Sequence, residues 1–254
     1  MLFTEDNSKK PCVPDIRNLE ALFVDMDDTI VIYRDAVLSG LEAVREAIPE
    51  MHNVGLDEMD KDFRELLNQS LPRLFNREIS YKDDTKSRMA EILRRRGKEL
   101  TENEILLYDS LFWKSFWKKR RLLHGAYDVL KLCANFKVPV AIITNGNPQI
   151  QFRTMIRLKL HDYVDMILTP KNADDMKPSI TLFVRAMRAL KVEPEKVIMV
   201  GDSFNHDVKG ADNSSITPVW FNPSHKEKPE DIPTVEITSF VELMDMLRPD
   251  GGRI

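Results

Sequence analysis

Asp25 and Asp27 stand two residues apart where the apolar run Ala21-Leu22-Phe23-Val24 gives way to Asp25-Met26-Asp27-Asp28-Thr29. In extended backbone, residues two apart point the same way, so both carboxylates would share one face. Adjacent carboxylates repel, and either one takes a proton or both share a cation. Three other segments could complete such a site. Thr144-Asn145-Gly146-Asn147 follows Val140-Ala141-Ile142-Ile143 and offers a hydroxyl and backbone N–H donors to an anion. Met176-Lys177-Pro178-Ser179 reads as a helix start with Pro178 in its first turn. Lys177 then lies where the macrodipole disfavours a cation unless an anion offsets it. Gly201-Asp202-Ser203-Phe204-Asn205-His206-Asp207 ends the run Val197-Ile198-Met199-Val200, with Asp202 at the strand tip and Asp207 on the loop or first helical turn.

Each segment alone has an ordinary structural reading, since Asp, Asn and Thr cap helices and form turns. Together they describe one chemistry. Asp25, Asp27, Asp202 and Asp207 would converge on one sheet edge and need a divalent cation, and hard carboxylate oxygens suit Mg²⁺. Thr144 and Lys177 supply the hydrogen-bonding and positive side that a transferring phosphoryl group requires.

The elements that must position these residues are legible as apolar runs. Residues 138–144, 164–168, 197–200 and 218–221 join the first run as buried strands, with a weaker strand at 235–237. Helical patterns at 126–136, 148–158, 179–190, 207–212 and 240–247 alternate with them. This predicts an α/β fold built on a doubly wound parallel sheet, whose ligand site lies at the carboxyl edge. The stretch from 34 to 121 breaks the alternation. It reads as amphipathic helices at 36–48, 59–68, 85–96 and 102–119, the last opened by the capping box Thr101-Glu102-Asn103-Glu104. The expected organisation is a core of residues 1–33 and 122–254 with an inserted helical domain at 34–121.

At 254 residues, 43% hydrophobic and 31% charged, the composition is that of an ordinary globular protein with an ample core. A net charge of −4 argues against a nucleic-acid polymer as partner. Cys12 and Cys133 form no disulfide framework, and no apolar stretch reaches the roughly 20 residues that span a bilayer. A cytoplasmic protein with no membrane partner is expected, either monomer or homodimer. Residues 1–18 read as a loose polar arm.

The order Asp-x-Asp-x-Thr, hydrophobic-Thr-Asn-Gly, Lys-Pro and Gly-Asp-Ser-x4-Asp resembles the haloacid dehalogenase superfamily, with the helical insert where its type-1 cap lies. Val219-Trp220-Phe221-Asn222-Pro223 is loosely similar to the nucleotidase and flavin-phosphate phosphatase branch. His124 stands where relatives often carry proline, and Asp212-Asn213-Ser214-Ser215 replaces an Ala-Gly-rich turn; neither touches the chemistry. The resemblance implies a Rossmann-like core and a Mg²⁺-dependent phosphatase acting on a small phosphorylated metabolite, with a nucleoside monophosphate or flavin mononucleotide as leading substrate. It implies Asp25 as nucleophile forming an aspartyl-phosphate and Asp27 as general acid and base. Asp25, the Asp27 carbonyl and Asp202 would hold the metal, with Asp207 as a further ligand or as support for the others. Thr29, Thr144, Asn145 and Lys177 would bind phosphate.

Rival readings are a hydrolytic dehalogenase, a sugar phosphomutase and a non-catalytic phospho-acceptor module. Dehalogenases commonly carry an aromatic residue in place of Asp27, and a receiver-like module lacks the insert. His206 is a poor Mg²⁺ ligand and reads as loop packing or surface. Phe112, Trp113, Phe116 and Trp117 read as the core of the insert, and Lys118-Lys119-Arg120-Arg121 as a solvated helix end. Arg73, Arg77 and Arg88 could meet a substrate, though no pattern singles them out.

Overall fold

Continuous burial, with no alternation, marks the strands of a parallel sheet covered on both faces. β1 (Ala21–Val24) and β2 (Val140–Ile143) are buried at every position. β3 (Met166–Leu168), β4 (Val197–Gly201), β5 (Thr217–Phe221) and β6 (Val235–Ile237) complete a sheet of order β3-β2-β1-β4-β5-β6. All five pairings are parallel. The chain builds β2 and β3 on one side of β1, then crosses to build β4, β5 and β6 on the other. That reversal makes the carboxyl end of β1 a switch point, where an open α/β sheet leaves a crevice.

The computed structural model describes residues 11–249. Its helices are α1 (Arg34–Ala47), α2 (Leu56–Phe75), α3 (Tyr81–Arg94), α4 (Glu102–Lys119), α5 (Ala126–Phe136), α6 (Pro148–Arg157), α7 (Pro170–Ala173), α8 (Ile180–Leu190), α9 (Lys209–Asn213) and α10 (Phe240–Leu247). The chain divides into two compact units, one of Met1–Ile30 with Leu122–Ile254 and one of Val31–Arg121. The first holds the sheet with α5 to α10, and Phe23, Ile143, Phe183 and Met199 are among the residues of its core.

The second unit is α1 to α4. Phe112 stacks on Phe63 and Phe116, with Trp113 edge-on to both Phe112 and Phe116. A Cβ on Gly40 would lie 2.5 Å from the Phe112 ring, so glycine lets α1 and α4 approach closely. Arg88 is buried too, bonded to Asp84 at 2.9 Å and lying over the Phe63 ring, so it is part of this packing.

Several local expectations need correction. α2 runs to Phe75 through Pro72, which forgoes the N–H bond another residue would make to the carbonyl of Asn68. α3 begins at Tyr81, because the Ser80 side chain caps it by accepting from Asp83 N. Arg120 is no solvated end: it is 5% exposed, its guanidinium lies beside the Tyr33 and Phe116 rings, and it donates to Ile32 O. The arm expected at 1–18 lies partly outside the described residues. Within them Ile16 is buried, and its N–H bonds Leu247 O at 2.8 Å. No described helix is long and apolar enough to cross a membrane.

Candidate active site

Three strand ends deliver polar residues to one edge. Asp25 is the first residue past β1, and its N–H still bonds Val200 O of β4 at 2.9 Å. Thr144 is the first past β2, bonded through N–H to Leu168 O at 3.0 Å. Asp202 follows β4, and its N–H donates to Thr29 Oγ1 at 3.0 Å.

Lys177 is buried among them. Nζ donates to Asp25 Oδ1 at 2.6 Å, Asp207 Oδ1 at 2.5 Å and Ile143 O at 2.6 Å, so three N–H donors meet three acceptors. Asn145 clamps the lysine backbone from both sides, accepting from Lys177 N at 2.8 Å and donating to Lys177 O at 2.9 Å. Pro178 is not in a helical first turn. α8 starts at Ile180 with Ser179 as its cap, because the Asn145 clamp holds the preceding backbone in the site. Asp175 accepts from the Ser179 and Thr181 hydroxyls and ties down the same loop.

Asp207 comes from a wide π-helical turn, Phe204–Val208, of a kind that recurs at functional sites. Its Oδ2 accepts from Ser203 N at 3.0 Å. Gly201 makes room for it, since a Cβ there would lie 2.2 Å from Asp207 Cγ. His206, in the same turn, is exposed with its ring nitrogen 3.1 Å from Ser203 Oγ.

The Thr29 side chain is buried against the acids: Oγ1 accepts from Asp202 N and lies 3.4 Å from Asp25 Oδ2 and 3.5 Å from Asp202 Oδ1. Asp28 turns the chain there in the left-handed region, φ 57°.

Sequence reading missed Gln151. This α6 residue is fully buried, and its Nε2 donates to Asp27 Oδ2 at 2.6 Å and reaches Thr144 Oγ1 at 3.3 Å. The available signal was a glutamine on the inner face of a helix, where an amide must find a partner. Thr144 Oγ1 also accepts from Gly146 N at 3.0 Å.

Electrostatically the edge is overloaded with acid. Burial pushes the Asp25 carboxyl well above its usual range; Lys177 pulls it down, while Asp207, Asp202 and Asp27 push it further up. Burial, then Asp207 and Asp28, lift Asp202 to about 7. Burial works to strip the Lys177 proton, but Asp207 and Asp25 outweigh it and hold that pKa above an ordinary lysine's. Asp25, Asp202 and Asp207 each offer an oxygen within 4.8 Å of the others. Ligands around octahedral Mg²⁺ lie about 2.9–4.2 Å apart. Hard oxygens at nearly that spacing, short of positive charge, fit the ion.

The family of haloacid dehalogenase-like hydrolases matches residues 19–214. The chain belongs to this family. Glyceraldehyde 3-phosphate phosphatase of Pyrococcus furiosus is 27% identical over 93% of this chain and 96% of its own. Pyrimidine 5'-nucleotidase YjjG of Escherichia coli is 34% identical over 49% of this chain and 56% of its own. Among solved structures, the HAD-hydrolase YfnB of Bacillus subtilis aligns with a TM-score of 0.70 at 24% identity, covering 90% of this chain and 98% of that one. Solved haloacid dehalogenases share the fold too. This haloacid dehalogenase-like hydrolase therefore has the doubly wound core anticipated from its strand runs.

Proposed function

We propose that this hydrolase is a Mg²⁺-dependent phosphatase of small phosphorylated metabolites, working through an aspartyl-phosphate on Asp25. The observation that carries the reading is the buried Lys177 bonded to Asp25, with Asp27 held beside them by Gln151.

An Asp25 oxygen attacks phosphorus in line, and the bond from phosphorus to the ester oxygen breaks. Asp27 protonates the departing alkoxide; it then takes a proton from the water that attacks the aspartyl-phosphate, and phosphate leaves with Asp25 restored. Lys177 keeps Asp25 ionised and draws off charge from the phosphoryl oxygens. Thr144 Oγ1 already accepts from Gly146 N and the Gln151 amide, so its own hydrogen is directed to a further acceptor, a phosphoryl oxygen. Thr29 acts on the acids, and Asn145 on Lys177. Asp25, Asp202 and the Asp27 carbonyl would hold Mg²⁺, with Asp207 as ligand or as support from behind; the ion supplies Lewis-acid stabilisation of phosphoryl charge.

A dehalogenase reading leaves the Gln151–Asp27 bond without a purpose, since displacement of halide needs no proton donor. The names of the relatives favour sugar phosphates and pyrimidine nucleotides over flavin mononucleotide as the substrate. Substrate choice is assigned to the helical insert. Phosphate release from a panel of phosphorylated metabolites, with and without Mg²⁺, tests the reading. Wild-type protein should release phosphate only with the metal, and Asp25→Asn should release none while keeping its fold. Full turnover by pure Asp25→Asn would overturn it.

A further inference from the structure

We propose that Gln151 is a positioning residue for Asp27, and that residue 146 is glycine so that the Gln151 amide can pass. The inference rests on the reading of Asp27 as acid and base.

An amide is costly to bury without partners, yet Gln151 is 0% exposed. Its Nε2 donates to Asp27 Oδ2 at 2.6 Å and lies 3.3 Å from Thr144 Oγ1. One amide therefore spans the proposed acid and a proposed phosphate-binding hydroxyl. Its path crosses residue 146, where a Cβ would lie 1.9 Å from Gln151 Nε2 and 2.9 Å from Asp27 Oδ2. Among the described residues the positive-φ glycines are Gly97 and Gly125, so backbone freedom does not account for Gly146. Space does.

The consequence follows from geometry. Asp27 lies on the chain just past β1, and the Gln151 amide holds its Oδ2. Pinning Oδ2 sets the direction of Oδ1 as well. An acid that must give a proton in one half-reaction and take one in the next needs that fixed direction, since small misplacements are expensive in rate. The amide acts through Asp27 and needs no contact with substrate.

The test compares an alkyl phosphate turned over in the metabolite panel with p-nitrophenyl phosphate, whose leaving group needs little acid help. The quantity is kcat/KM, which reports the steps up to the aspartyl-phosphate. Gln151→Met removes the donor at nearly constant volume. Gln151→Asn keeps the amide but falls one methylene short, and Gly146→Ala displaces it, so the test survives if one variant fails to fold. Each folded variant should lose about 10- to 100-fold on the alkyl ester and about threefold or less on the activated one. In an Asp27→Asn background, Gln151→Met should change the alkyl rate by about threefold or less, the loss expected on the activated ester, because the group it positions is gone and only its bond to Thr144 remains. Equal losses on both esters, or a loss that persists in full without Asp27, would overturn the inference while leaving the phosphatase reading standing. A wild-type protein that released no phosphate, or an unimpaired Asp27→Asn, would overturn both.

Discussion

The ammonium of Lys177 lies 2.6 Å from Asp25 Oδ1, and both side chains are buried. Lys177 also bonds Asp207, so one lysine compensates carboxylates that follow two different strands. Lys177→Met should abolish turnover. It should also destabilise the protein by about 3–5 kcal/mol, the range for breaking a buried ion pair from one side. Adding Asp25→Asn should recover part of that stability and none of the activity. Urea unfolding of the two variants decides the matter, and an unchanged midpoint for Lys177→Met would refute the pairing.

On the proposed reading Mg²⁺ should stabilise the protein, because it would bind the folded acid cluster and find no comparable site in the unfolded chain. A scan of melting temperature against Mg²⁺ should rise and saturate. Asp202→Asn should flatten that rise, and Ca²⁺ should replace Mg²⁺ poorly in turnover because it prefers more ligands at longer distances. A titration unaltered by Asp202→Asn would move the metal elsewhere.

Thr29→Val keeps the shape of the side chain but removes the acceptor for Asp202 N–H. An orphaned donor of this kind costs about 1–3 kcal/mol. Stability should fall by that amount, and the Mg²⁺ concentration for half-maximal activity should rise. A direct phosphate contact would instead raise KM with the metal requirement untouched.

Cys133 gives a pH test. Burial pushes its thiol up to about 12, whereas an unfolded cysteine titrates near 8.5. Above that lower value the unfolded chain loses a proton that the folded chain keeps, so stability is lost as pH rises from about 8.5 toward 12. Folded protein at pH 8 should leave Cys133 unlabelled by a maleimide, with labelling following unfolding; Cys12, which is exposed, serves as internal control. Rapid labelling of Cys133 in folded protein would contradict its packing in α5.

The acids at 25 and 202 and the hydroxyl at 144 were legible because a strand buried on both faces must be an apolar run, and the first polar residue after it must lie at an edge; Asp207 was legible through the motif that begins at Gly201. The helix at 102–119 was legible because a capping box is local, with both partners within four residues. Composition spoke to size and class, and motif order spoke to family. The sequence left undecided which face each residue beyond the strand ends would use. Gln151 meets Asp27 across 124 residues, Thr29 meets Asp202 across 173, and Lys177 meets Asp25 across 152. Those pairs exist because β1 lies between β2 and β4, an adjacency set by the crossover that no local propensity encodes. Tertiary structure alone turned Thr29 toward the acids and aimed a buried glutamine at Asp27, since each bond forms only when elements distant in sequence bring two polar groups within about 3 Å.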